Sequence, residues 1–303
     1  MMGISRRHFL AGALGAAVAP RLAAANDLPG DMRRIPSTGE AVPAVGLGTW
    51  ITFNVGRDPR LLERSADVMA AFFDEGGGVI DSSPMYGSSQ GTVGYGLEKL
   101  GYPDSLFSAE KVWTSSVGEG PDQIAETRGE WGVPSFDLMQ VHNMVAWEGH
   151  LETLFAMKAA GRLRHVGITT SHGRRHDLME RIMRDHPIDF VQLTYNLADT
   201  EAERRLLPLA REKGIGVIVN RPFRRGALID RLAGEPLPPV AADLGASAWS
   251  DVILKYILSH PAVTVAIPAT TRVDHVRANK AAARGALPDE RQRRQIADHF
   301  GAL

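Results

Sequence analysis

The chain is predicted to fold as a (β/α)8 barrel, and three observations predict it. Short apolar runs alternate with longer helical patterns eight times over. Glycine or proline punctuates most of the units. The eight units take up roughly 250 residues, the size of a closed barrel rather than an open sheet. An alternation of this kind requires parallel strands, because each helix returns the chain to the edge where the next strand starts.

The elements follow in order. Val45 to Trp50 reads as the first strand, and Leu61 to Asp74 as a helix stopped by Gly76-Gly77-Gly78. Val79 to Asp81 is the second strand, followed by a short helix from Thr92 to Leu100. Leu106 to Val112 is the third strand, Pro121 to Trp131 a helix, and Phe136 to Val141 the fourth strand. A helix from Glu148 to Ala160 stops at Gly161, and Arg164 to Ile168 is strand five. Arg174 to Asp185 is helical up to Pro187, and Phe190 to Leu193 is strand six. Glu201 to Lys213 reads as one helix stopped by Gly214, ahead of strand seven at Ile215 to Val219. A Pro-rich stretch, Leu232 to Pro239, belongs to a long loop. The helix Ala248 to Ser259, strand eight at Val263 to Ile267 and the helix Val273 to Ala283 complete the barrel. Met32 to Val42 is expected to form a hairpin over the barrel floor, and Glu290 to Phe300 a closing polar helix.

The first 25 residues are set apart from this fold. Ser5-Arg6-Arg7-His8-Phe9-Leu10 carries paired arginines, a small apolar run spans Ala11 to Ala19, and Ala23-Ala24-Ala25 offers a cleavage site. This three-part layout is that of a signal peptide, with the arginines pointing to the twin-arginine route. The apolar run is too short to span a bilayer. Residues 1–25 are therefore expected to be an export signal and 26–303 the barrel, which places the mature protein in the periplasm. The sequence holds no cysteine, so disulfides, thiolate metal sites and a cysteine nucleophile are excluded. A formal net charge of -1 gives no reason to expect nucleic-acid binding. His172 and His176 have the i, i+4 spacing of a metal pair, but the arginines between them favour a polar helix start. No metal site is expected.

In a barrel of this type the chemistry sits at the C-terminal ends of the strands. Asp81 ends strand two with Tyr86 five residues on, Lys111 ends strand three and His142 follows strand four. Asp81 and Lys111 can also be read as a cap and a structural ion pair, and His142 as a core histidine. Together the four types suit carbonyl chemistry. Reduction needs a hydride on carbon and a proton on oxygen. Tyr86 can give the proton if the Lys111 ammonium lowers its pKa from about 10. Asp81 can pair with the buried lysine, and His142 can orient the carbonyl oxygen. Trp50 and Trp113 are candidate aromatic walls for a small substrate. Gly46-Leu47-Gly48 lacks the third glycine of a dinucleotide fingerprint and is read as a tight turn at the strand's end.

Six segments, in this order and spacing, resemble the aldo-keto reductase family: Gly46 to Trp50, Val79 to Gly87, Glu110 to Trp113, Asp137 to His142, Arg164 to Gly167 and Val191 to Asn196. The resemblance covers about residues 40–283. It implies NADP(H) as cofactor and a small carbonyl compound as substrate. It implies that Tyr86 is the proton donor, Lys111 and Asp81 its tuning pair, and His142 the carbonyl-orienting group. Thr169 and Thr170 fall where the family holds the nicotinamide carboxamide, assisted by Gln192. Gly48, Thr49 and Trp50, and the stretch Asn220, Arg221, Pro222 and Phe223, fall along the cofactor cleft. Ile267, Pro268 and Asn279 match the adenosine end, with Arg272 and His275 at the 2′-phosphate.

Three departures stand out. Asn220 replaces the tyrosine that usually stacks on the nicotinamide, with Phe223 nearby. Arg221, Arg224 and Arg225 crowd the same loop and are candidates to grip the pyrophosphate. Ala269 replaces a lysine that many NADP-dependent members carry, and the chain ends soon after Phe300, without the long C-terminal flap of some members. The sequence thus predicts an NADP(H)-dependent carbonyl reductase, expected as a monomer, whose macromolecular partner is the twin-arginine translocation machinery. The competing reading is an exported NADP-binding barrel that serves as a sensor or accessory protein.

Overall fold

A computed structural model describes residues 28–303. The paired arginines and the expected cleavage site lie outside the described residues. The first described element is the expected hairpin, β1 (Met32–Arg34) paired antiparallel with β2 (Ala41–Pro43). The barrel begins with β3 (Leu47–Gly48), α1 (Pro59–Asp74), β4 (Gly78–Asp81) and α2 (Ser89–Leu100). It continues with β5 (Leu106–Val112), α3 (Gly120–Trp131), β6 (Phe136–Val141), α4 (Trp147–Ala159), β7 (Leu163–Thr169) and α5 (His176–Asp185). Then come β8 (Phe190–Thr194), α6 (Leu206–Lys213), β9 (Gly216–Asn220), the short α7 (Ala227–Arg231) and α8 (Trp249–Leu258). β10 (Val265–Ala266), α9 (Val273–Ala282) and α10 (Glu290–Ala302) complete the chain.

Strands β3 to β10 are parallel and adjacent in chain order. Parallel bridges Val45–Ala266 and Gly48–Ala269 join the last strand to the first. The expected (β/α)8 barrel is therefore present and closed. The seam explains Gly46 and Gly48 differently from the sequence reading. Neither has a positive φ, so neither makes a tight turn. A Cβ on Gly46 would lie 2.6 Å from the Val79 carbonyl oxygen on the neighbouring β4 and 3.0 Å from Ile267 Cγ2 across the seam, and one on Gly48 would lie 2.7 Å from the Ile267 carbonyl oxygen. Bare backbone lets the seam close, with Gly46 N–H donating to Ala266 O at 2.9 Å and Gly48 N–H to Pro268 O at 3.1 Å.

The helix ends follow local rules. Asp58 caps α1 by accepting from the Arg60 and Leu61 N–H groups, and Pro59 opens the helix. Gly101, Gly132 and Gly214 end α2, α3 and α6 in the left-handed conformation. Two expected helices start late. Arg175 is left-handed (φ 56), so the fifth barrel helix opens at His176, and His172 lies in a loop rather than on the same helix. The helix expected from Glu201 breaks at Arg205 into a 3-10 turn and α6. Pro208 accounts for the break: its ring clashes with the carbonyl four residues back, so it fits only a first helical turn.

Two apolar clusters divide the core. A large one fills the shell between strands and helices. A smaller one fills the barrel's interior with Val79, Phe107, Ala109, Leu138, Phe190, Ile218, Val265 and Ile267. Ile35 and Val42 belong to the smaller cluster, so the hairpin plugs the barrel floor. Strand side chains alternate between faces. The positions that follow Val79, Ala109, Leu138, Phe190 and Ile218 on the same face are Asp81, Lys111, Gln140, Gln192 and Asn220. The interior is thus apolar below and polar above, and the polar layer is where the site lies.

Candidate active site

A cavity of about 450 Å³ opens over this polar layer. Its lining includes Gly48, Thr49, Trp50, Asp81, Tyr86, His142, Thr169, Thr170, Gln192, Asn220, Arg221, Pro222, Phe223 and Ile267. Most of the residues singled out from sequence are therefore brought together. Pro268, Arg272, His275 and Asn279 lie outside this lining, past β10 and on the first turns of α9. Trp113 also lies outside it, 41% exposed, with its ring 6.5 Å from that of His142.

Lys111 is the buried centre of the site. Its ammonium donates to Asp81 Oδ2 at 2.7 Å and to the Ser82 carbonyl at 2.6 Å. It is 1% exposed and Asp81 2%. Burial disfavours the ammonium, but Asp81, Tyr86 and Glu110 outweigh it and hold its pKa above the usual lysine value. The other Asp81 oxygen accepts from Gln192 Nε2 at 2.7 Å and Gln140 Nε2 at 3.3 Å. A carboxylate can only accept, so both glutamines must present their nitrogens to it. Gln140 was not singled out from sequence. The signal was its place two residues before His142, on the inward face.

Tyr86 follows β4 on a short 3-10 turn whose first N–H groups are ordered by Ser83, the Met85 N–H donating to Ser83 Oγ at 3.2 Å. The Lys111 ammonium lies 5.0 Å from the tyrosine ring centroid. The expected lowering of the Tyr86 pKa is not what results. Burial pushes it up to about 12, and the Lys111 charge only offsets part of that rise. Tyr86 is therefore a protonated acid at neutral pH, with a cation placed to receive the charge it develops.

His142 stands edge-on to Tyr86, ring centroids 5.7 Å apart. Burial, with the Lys111 charge second, lowers its pKa to about 3, so its imidazole is neutral. Its Nδ1 lies 2.7 Å from Ser83 Oγ, a partner that sequence reasoning missed.

The rest of the rim supplies polar groups for a larger ligand. The Thr169 hydroxyl oxygen accepts from the Asn143 N–H, leaving its own hydrogen free. The Thr170 hydroxyl donates to the Arg174 carbonyl, leaving its lone pairs free. Asn220 accepts from Thr194 Oγ1 at 2.6 Å and donates to the Thr170 carbonyl at 2.9 Å, so it is built into the wall. Of the three loop arginines, Arg224 does not face the cleft: its Nε donates to Asp199 at 2.7 Å, so it anchors the loop instead of a phosphate. Arg225 rests 4.7 Å above the Trp50 ring. Arg221 has Nε and Nη1 buried without a partner among the described residues. Among the described residues ten non-glycine residues have positive φ, and nine of them lie in these rim loops, Tyr102 being the exception. Backbone strain of this kind persists where the surroundings hold a site in shape.

Comparison with known proteins gives this geometry a family. The family model described as "Aldo/keto reductase family" matches residues 44–297. Aldo-keto reductase YhdN of Bacillus subtilis is 26% identical over 223 residues, covering 66% of this chain and 64% of that protein. The NADH-specific methylglyoxal reductase of Escherichia coli is 24% identical over 245 residues, covering 68% and 72%. The chain thus spans just under two thirds of the first of these relatives. Among solved structures, an aldo/keto reductase from Klebsiella pneumoniae in complex with NADP and acetate superposes with a TM-score of 0.73 at 22% identity, covering 86% of this chain and 92% of that one. A cavity ringed by Asp81, Tyr86 and His142 over buried Lys111, and a family match across nearly all the described residues, lead to one conclusion: the chain belongs to the aldo/keto reductase family.

Proposed function

We propose that this protein is an NADP(H)-dependent carbonyl reductase acting on small aldehydes or ketones. The observation that carries this reading is the buried Lys111–Asp81 pair set against Tyr86, with neutral His142 facing the same cavity. Bound NADPH supplies the hydride to the carbonyl carbon. Tyr86 gives its hydroxyl proton to the carbonyl oxygen, and the Lys111 ammonium stabilises the phenolate that forms. Asp81 keeps the ammonium in place, and solvent returns the proton. His142 donates to the carbonyl oxygen and fixes its direction.

The cavity's unused groups match the cofactor. A carboxamide needs a donor for its oxygen and acceptors for its N–H groups. Thr169 retains a free hydroxyl hydrogen, while Thr170 Oγ1 and Gln192 Oε1 retain acceptor capacity. Arg221, whose Nε and Nη1 have no partner among the described residues, suits the pyrophosphate. Arg272 is paired with Asp274 in an exposed bridge, which a 2′-phosphate can displace at little cost. The solved Klebsiella relative was crystallised with NADP, which favours NADP over NAD here. The NADH-specific Escherichia coli relative is the reason to measure both. We propose further that residues 1–25 direct export by the twin-arginine route, leaving 26–303 as a periplasmic barrel.

The test is to titrate the protein with NADPH and NADH by tryptophan fluorescence, then to assay an aldehyde panel with wild type and Tyr86→Phe. Tight NADPH binding is expected, with NADH weaker. Tyr86→Phe should lower kcat by about 100- to 10,000-fold with NADPH binding kept. NADPH binding without turnover of any carbonyl supports the sensor or accessory reading instead. Wild-type activity in Tyr86→Phe rules out Tyr86 as the acid.

A further inference from the structure

We propose that Ser83 is a positioning residue that sets the tautomer of His142. The proposal rests on the carbonyl-reductase reading above for its functional consequence, and on hydrogen-bond accounting for the assignment.

A neutral imidazole has one donor nitrogen and one acceptor nitrogen, and its neighbours decide which is which. Here the only polar partner of the His142 ring among the described residues is Ser83 Oγ, 2.7 Å from Nδ1. A single hydrogen lies between those two atoms. If Nδ1 carried it, the Ser83 hydroxyl hydrogen would need another acceptor. Ser83 is fully buried, and the only other hydrogen-bond partner of its hydroxyl among the described residues is the Met85 N–H, which is itself a donor. That hydrogen would then be buried and unpaired, an arrangement that folded proteins avoid because the desolvation is not repaid. The arrangement that satisfies every group has Ser83 donating to Nδ1 and accepting from Met85. The remaining His142 hydrogen is then on Nε2, which has no protein partner among the described residues.

The consequence is chemical. A carbonyl oxygen only accepts, so His142 can orient it only through an N–H. The Nε2–H form supplies that donor on a ring that stands edge-on to Tyr86, centroids 5.7 Å apart. The chain Met85 N–H to Ser83 to His142 thus ties the turn that carries Tyr86 to the residue that directs the substrate. Ser83 sits two residues after Asp81, so one short segment supplies the lysine's counter-ion, the histidine's partner and the acid.

The experiment uses the full chain labelled with ¹⁵N at histidine, with His142→Asn assigning the resonance. Long-range ¹H–¹⁵N correlations are expected to show the proton on Nε2 and a hydrogen-bonded Nδ1 in wild type. Ser83→Ala should move Nδ1 to the position of an unbonded imine nitrogen. It should lower kcat by about tenfold while leaving NADPH affinity unchanged. Ser83→Thr, which keeps the hydroxyl, should restore both. A proton on Nδ1 in wild type overturns the proposal, and that arm needs no variant to fold. So does an unmoved Nδ1 resonance in Ser83→Ala, or a moved resonance with unchanged kcat. If wild type reduces no carbonyl, the functional reading falls, while the resonances still decide whether Ser83 sets His142.

Discussion

Tyr86 and His142 show how burial, rather than charge alone, sets a residue's protonation. Both face the same lysine, and desolvation is the larger influence on each. It keeps Tyr86 protonated up to about 12 and His142 neutral down to about 3. Neither group of the free protein titrates between those limits. Neither group should therefore contribute an inflection to kcat/KM for aldehyde reduction between about pH 5 and 9. An inflection in that range that vanished in a Tyr86 or His142 variant would contradict these assignments. Stability should behave differently. His142 binds a proton at 6.5 when unfolded but only near 3 when folded. Between those values the unfolded chain holds more protons, so stability falls as pH drops from about 6.5 toward 3. His260, lowered to about 4 by burial, acts in the same direction. Thermal melts of wild type and His142→Asn should show a shallower acid loss in the variant.

At the scale of elements, the seam between β3 and β10 decides whether the cavity exists. Gly48 and Ile267 both line it, and the bare Gly48 backbone lies against the Ile267 carbonyl. A backbone carbonyl cannot rotate away as a side chain can. Gly48→Ala is expected to lower unfolding free energy by about 1–3 kcal/mol and to weaken nucleotide binding with it. Denaturant unfolding and fluorescence titration measure the two effects. Full stability in Gly48→Ala would mean that the seam has slack. The rim loops are a second such device, since Arg175 donates to the Asn143 and Met144 carbonyls and so ties the loop after β7 to the loop after β6.

At the scale of the whole molecule, the absence of cysteine makes the chain indifferent to the redox state of its compartment. That suits the proposed export of a folded barrel already carrying its cofactor. Replacing Arg6 and Arg7 together by lysine should leave the protein in the cytoplasmic fraction, unchanged in length. Periplasmic recovery of that variant at wild-type levels would remove the twin-arginine proposal.

The barrel was legible in the sequence because its signals are local. Strand and helix periods, Gly101, Gly132 and Gly214 at helix ends, and Pro59 at a helix start each act within a few residues. Pro208 was equally local, and the interrupted helix at Arg205 was there to be read. That Asp81, Tyr86, Lys111 and His142 would meet was legible as well, because strand ends converge on one rim in this fold. What remained was decided by neighbours far apart in the chain. Gln192 reaches Asp81 across 111 positions and Ser83 reaches His142 across 59. Arg224 turns to Asp199, and Gly46 and Gly48 serve a seam more than two hundred residues long in sequence. The Tyr86 shift belongs with these, since its sign depends on how much protein surrounds the ring. Sequence spacing records what a residue is and which face it takes. Burial and hydrogen-bond partners arise only when the barrel closes, and here they determine which atom carries each proton.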